Sequence, residues 1–139
     1  MVDREKLSSR LDALEGYLAE LRSFRGTSSE EFIREPALHH LAERYLELAC
    51  ECVLDVAHHV IADQGYRQAT SYRDAIEVLG EEGLIEADLV ERLKGWMGFR
   101  NVLVHLYIDI DHSRSYDAIQ GDLGDLEQFA SLMGRFLKP

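Results

Sequence analysis

The chain has 139 residues and a mass of 15.9 kDa, a one-domain length that needs neither disulfide nor structural metal to hold a core. With 26 acidic against 15 basic residues its formal net charge is −11, which disfavours non-specific binding to phosphate backbones and demands a local cationic site for any nucleic-acid role. Only Cys50 and Cys52 are present, no apolar run approaches the roughly 18 residues of a membrane span, and Met1-Val2-Asp3-Arg4-Glu5-Lys6 lacks a signal-peptide core. The expectation is a single cytoplasmic domain over residues 1–139.

Residues 3–24 place Leu7, Leu11, Leu14, Leu18 and Leu21 at steps of four and three, which predicts an amphipathic helix with one apolar seam. Gly26 closes it. Ser28 and Glu31 have capping-box spacing and predict a short helix over 29–35, after which Pro36 restarts the chain. From Ala37 to about Ala62 the stripe Leu38, Leu41, Tyr45, Leu48, Cys52 and Val56, broadened by Leu46, Val53, Ala57, Val60 and Ile61, predicts a long buried helix ended by Gln64-Gly65. A short helix is expected from Ser71 to about Leu79, a long one over 86–109 and a last one over 115–137, capped by Ser113 or Ser115. Together these predict an all-α, up-and-down antiparallel bundle of four main helices plus short ones.

The helix over 86–109 carries the most information. At 100° per residue, Phe99, Val102, Leu103, Leu106 and Ile110 share a face that suits the core. Val90, Met97, Val104 and Ile108 form a second stripe, with Arg100, Asn101 and His105 beside it. Two stripes predict two burial partners: the chain's own core and a second copy, with Gly95 and Gly98 allowing close approach. The bland alternative is that Met97 and Val104 are also core. Residues 92–107 contain Arg92, Lys94 and Arg100 and no acid, and a shorter acid-free run, 64–73, carries Arg67 and Arg73.

Arg100, Asn101 and His105 are residue types sufficient for metal-free RNA cleavage. That chemistry needs a base for the 2′-OH proton, an acid for the departing 5′-oxygen and a cation for the phosphorane. A guanidinium matches phosphate oxygens, and an amide one turn from the imidazole can fix its tautomer or hold the phosphate. On spacing alone, an arginine and a histidine five apart are common. His39-His40 and His58-His59 are adjacent pairs that point about 100° apart and do not chelate as i, i+4 pairs do. Trp96 suits a helix junction more than stacking on a base, and Arg73 could back the cleft but better suits a surface ion pair.

The string Arg100-Asn101-Val102-Leu103-Val104-His105-Leu106-Tyr107 resembles the Arg-x4-His-x-Tyr motif of HEPN domains, specifically the HepT-like ribonuclease toxins. Ser71-Tyr72-Arg73-Asp74-Ala75, Gly83-Leu84-Ile85, Glu91-Arg92-Leu93-Lys94-Gly95 and Gly98-Phe99 look like that family's lead-in, so the likeness is strongest over 67–118. It implies a helical homodimer with the motif at the dimer cleft and no cofactor. It also implies a metal-independent endoribonuclease toxin of a type VII-like toxin–antitoxin system, leaving a 2′,3′-cyclic phosphate on its RNA substrate. Carried over, Arg100 and His105 are the catalytic pair and Asn101 supports them. Tyr107 is the residue adenylylated by an MntA-like minimal nucleotidyltransferase antitoxin. On a continuous helix, AMP on Tyr107 would lie on nearly the same face as Arg100 and compete with substrate phosphate. The alternative function is a non-catalytic, phosphate- or nucleotide-binding partner of a nucleotidyltransferase.

Overall fold

The computed structural model describes residues 3–138, and every regular element among them is helical. Helix α1 runs Arg4–Arg22 and buries all five of its seam leucines. Asp3 caps it by accepting from the Lys6 N–H at 3.2 Å. Each fully buried leucine contributes about 1.5–3 kcal/mol relative to exposure, so this seam alone fixes α1 to the core. A 3-10 turn at Ser23–Gly26 and the short α2, Ser29–Arg34, reverse the chain. As the capping-box spacing predicts, Ser28 accepts from the Glu31 N–H, and α2 inserts Phe32 fully into the core.

Helix α3, Pro36–Gln64, starts on its proline and stops at Gly65, whose φ of 70° is the left-handed C-cap a glycine supplies. It packs against α1 along its length and also meets the later helices, making it the central element. Its buried stripe differs from the expected one over the first three turns. Leu41 is 49% exposed and Leu38, Tyr45 and Leu48 are half-buried, while His39, Ala42, Glu43, Ala49 and Cys50 join the expected Leu46 in facing inward. The reason is that other helices supply partners: His39 Nδ1 donates to the Phe32 carbonyl at 3.0 Å, and Glu43 accepts from Ser115 Oγ and His112 Nδ1, each at 2.7 Å. A polar face wins burial once its partners are supplied by other helices.

Helix α4, Tyr72–Glu81, is capped by Ser71 and lies close against α5, Ala87–His105. Gly80 permits that approach, since a Cβ there would sit 2.6 Å from Val90 Cγ2. Helix α5 ends at His105, not at 109: Leu106 leaves helical geometry at φ −121°, ψ 39°, and Tyr107–Asp109 form a 3-10 turn. Phe99 and Leu103 are buried as expected, but so are Val90 and Met97, which belong to this chain's own core. Leu106 and Ile108, beyond the helix end, are exposed, Ile108 at 83%.

The expected last helix is two. Helix α6, His112–Gly121, is capped by Asp111, which accepts from the Ser113 N–H at 3.0 Å. Ser115 could not serve as cap because its buried hydroxyl is committed to Glu43. Helix α7, Leu123–Met133, follows a break at Asp122, flanked by the poor helix formers Gly121 and Gly124, and a 3-10 turn at Gly134–Leu137 completes the described chain. The architecture is the all-α bundle expected, with α6 and α7 sharing the fourth place. No helix among the described residues is long and apolar enough to cross a membrane.

Candidate active site: a groove between the fourth and fifth helices

Helix α4 is held in place from outside the groove. Arg67 grips both Asp74 oxygens at 2.8 Å and both Glu81 oxygens at 2.9 Å, and Thr70 donates to Asp74 from its N–H and hydroxyl. The Arg67 hydrogen bonds, followed by the Thr70 N–H, hold the Asp74 carboxyl well below the usual carboxylate range. The same guanidinium lowers Glu81. This clamp fixes the loop entering α4 and with it Tyr72 and Arg73, which stand against α5.

On α5, Gly98, Asn101, Val102 and His105 fall at i, i+3, i+4 and i+7 and therefore share a face. With Ser71, Tyr72 and Arg73 they line an open groove of about 750 Å³. His105 is exposed at the last helical position and Asn101 one turn before it, so the structure brings these two together as expected. Arg100 lies elsewhere. It is only 9% exposed, with Nε donating to Glu51 Oε1 at 2.5 Å and Nη1 to Asn101 Oδ1 at 3.2 Å. Its guanidinium also packs 4.7 Å from the Tyr72 ring centre. Arg100 thus meets the groove only through Asn101 and Tyr72.

Tyr107 is 68% exposed but not on the face of Arg100, because α5 stops two residues before it. It borders a separate depression of about 180 Å³ with His40, Glu43, Arg44, Glu47, Leu103 and Ile110. The continuous-helix geometry for competition between AMP and substrate at Arg100 is therefore absent. Beneath this depression His39 and His112 stack at 3.7 Å between ring centres, with His40 edge-on to His39 at 4.4 Å. Among the described residues no group of three or more histidines, cysteines and carboxylates is arranged to hold a metal.

The acid-free stretch of α5 is not a free cationic patch. Arg92 pairs with Asp125, Lys94 with Glu77 and Arg100 with Glu51, all on other helices. Of the second run, Arg67 is consumed by its clamp, whereas Arg73 makes no ion pair or hydrogen bond among the described residues. The expected surface ion pair of Arg73 is absent because the carboxylates of its own helix are already taken. Glu51 and Tyr72 carry no local sequence signal for their roles, which arise from long-range packing, whereas the acid-free run 64–73 already marks Arg73 as a residue that could back the cleft. Trp96 packs at a helix junction, as its type suggested, with Nε1 donating to Asp125 at 3.1 Å.

Residues 14–133 match the family model described as Ribonuclease HepT-like. The chain is 32% identical over 88 residues to the mRNA nuclease HepT of Shewanella oneidensis, covering 63% of this chain and 66%, just under two thirds, of that relative. It is 26% identical over 113 residues to the tRNA nuclease HepT of Aphanizomenon flos-aquae, covering 81% and 77%. The fold superimposes with a TM-score of 0.87 on the tri-AMPylated Shewanella oneidensis HEPN toxin solved in complex with its MNT antitoxin, at 25% identity over 97% of this chain and 99% of that one. A family match over this much of the sequence, together with the shared fold and the Arg-x4-His-x-Tyr string, means that the chain belongs to the HepT-like ribonuclease family.

Proposed function

We propose that this protein is the toxin of a toxin–antitoxin pair and a metal-independent endoribonuclease, working as a homodimer whose two α4–α5 grooves face one another. The observation that carries the reading is His105, an exposed imidazole at the end of α5 in an open groove with Asn101 beside it. The 2′-oxygen attacks phosphorus as a base takes its proton, and the 5′-oxygen leaves with a proton from an acid. The products are a 2′,3′-cyclic phosphate and a 5′-hydroxyl. One imidazole fills each role when two copies meet. Arg100, held by Glu51, orients Asn101 through its Nη1 hydrogen bond, and Asn101 contacts the phosphate. Membership of a family of nucleases, two of them acting on mRNA and tRNA, supports RNA as substrate.

Tyr107 is the adenylylation site in this reading. Its phenolic oxygen attacks the α-phosphorus of ATP held by an MntA-like nucleotidyltransferase antitoxin, and pyrophosphate leaves. Its exposure and the AMPylated state of the similar Shewanella toxin support this. A second reading, a phosphate-binding partner of the transferase without cleavage, draws on the Arg100 guanidinium being occupied by Glu51. The test is RNA cleavage in excess EDTA by protein shown by intact mass to carry no AMP. Wild type cleaves to cyclic-phosphate ends and His105→Ala does not. Equal activity of the two, or inert unmodified wild type, overturns the nuclease reading in favour of the second.

A further inference from the structure

The groove's accessible cation is not the motif arginine. All three carboxylates of α4 are engaged by other cations: Asp74 and Glu81 by Arg67, and Glu77 by Lys94 at 2.7 Å. Arg100 is committed to Glu51 and nearly covered. Arg73 alone among the groove's lining residues carries a full positive charge exposed and without a partner among the described residues. In a chain with 26 acidic residues an unpaired guanidinium held against a helix is a distinct arrangement.

Its position is set by Gly98. The Arg73 Nη2 lies within clashing distance of where a Cβ on Gly98 would be, so the missing side chain leaves room for the guanidinium on the α5 surface. Gly98 is on the same face as His105 and seven residues before it, about 10 Å along the helix axis. A guanidinium berthed at Gly98 therefore sits further up the helix than an imidazole at 105, a spacing at which the two can address successive phosphates of one strand. Its forked donors suit a different phosphate oxygen pair on the same strand.

We propose that Arg73 is a substrate-binding residue that grips a phosphate flanking the scissile one, so that RNA lies along α5 from Gly98 to His105. This deepens the nuclease reading and rests on the groove being its site. Arg73 contributes to holding the strand; proton transfer stays with His105.

The test uses the full-length, unmodified protein and a labelled RNA oligonucleotide. Arg73→Ala is expected to raise KM about tenfold while kcat stays within about twofold, the effect of losing one charge-assisted contact. The slope of log affinity against log salt should fall by about 0.7, one phosphate on a single strand. Gly98→Ala displaces the guanidinium without removing its charge, so it shifts KM in the same direction and adds nothing to Arg73→Ala in the double variant. Arg73→Lys recovers part of the affinity. The loss is at least about tenfold larger on the oligonucleotide than on a dinucleotide, which has no flanking phosphate. Anisotropy with an oligonucleotide carrying 2′-deoxy sugars reads binding independently of cleavage. Wild type that cleaves, or binds, with Arg73→Ala matching its KM, affinity and salt slope overturns the assignment, as does a Gly98→Ala effect that persists without Arg73. Wild type that binds with Arg73-dependent affinity but cleaves nothing overturns the nuclease reading and, with it, the placement beside a scissile phosphate, leaving Arg73 a phosphate contact of the non-catalytic binding partner.

Discussion

Removing Glu51 should harm the fold more than removing the arginine it holds. The Arg100 side chain is 11% exposed and that of Glu51 38%, so the two ends of the pair stand in different surroundings. Glu51→Ala leaves a nearly covered guanidinium with its Nε donor unmatched, while Nη1 keeps Asn101 and the Tyr72 ring stays in place. Stripping the partner from a fully buried pair costs about 3–5 kcal/mol. Water reaching the Glu51 side of this pair lowers the expectation to roughly 1–3 kcal/mol. Arg100→Met keeps the packed aliphatic stem and abandons a carboxylate that water can solvate, for about 0.5–1.5 kcal/mol. In a domain of this size each kcal/mol moves the melting temperature by about 3–5 °C, so the two variants are separable by thermal melts followed by circular dichroism. Urea unfolding at unchanged m-value supplies the free energies, and a double-mutant cycle should return a coupling of about 1 kcal/mol or more. If Arg100→Met is the worse variant, or the coupling falls below about 0.5 kcal/mol, Glu51 does not anchor Arg100 in the way described.

Three further outcomes follow from buried and clamped groups. Glu43→Ala strands the Ser115 hydroxyl, which is fully buried and donates to Glu43. It should cost about 1–3 kcal/mol in urea unfolding, and adding Ser115→Ala should recover part of that; strictly additive losses would contradict the pairing. The lowered Asp74 and Glu81 groups contribute stability that is complete above the ordinary carboxylate range near pH 4 and is lost as pH falls through their folded values. Wild type and Arg67→Met should therefore differ by a constant melting offset from pH 5 to 8 and converge below pH 4, and curves that stay parallel to pH 2 would exclude the clamp. Burial, then the Glu51 charge, pushes the Cys50 thiol far up, and burial, then Asp55, pushes Cys52 up to about 11. Iodoacetamide at pH 8 should therefore label the urea-unfolded chain far faster than the folded one, and rapid labelling of folded protein would refute the burial of both thiols.

The parts of the fold readable in sequence were those where one strong apolar period had no competitor. The α1 leucines and the Ser28 cap needed nothing from elsewhere in the chain. The first half of α3 was misread because His39 and Glu43 turn inward on partners 7 to 72 residues away, which no local pattern records. The end of α5 was misread for a different reason: Tyr107, Ile108 and Ile110 continue a helical spacing that the backbone abandons at Leu106. That difference reaches the site. The string places Arg100, His105 and Tyr107 in one motif, yet the fold sends them to a covered pair, an open groove and a separate depression. Which residues belong to the motif could be read from the string, but their division among three surroundings is set by Glu51 and Tyr72 around Arg100 and by the end of α5 at His105.

Net charge then acquires a structural meaning. A surplus of 11 acids would repel RNA at long range and slow its arrival, since encounter is steered by the field of the whole molecule. Most arginines near α5 do not offset this locally, because each is neutralised by an acid on another helix. In the proposed site, what remains for a phosphate is a short contact surface dominated by Arg73, doubled only if a second copy faces the first. A site that neutralises so few phosphates gains little from counterion release. If RNA is the substrate, as proposed, its selection comes from the shape of the groove and the polar edge offered by Ser71 and Asn101.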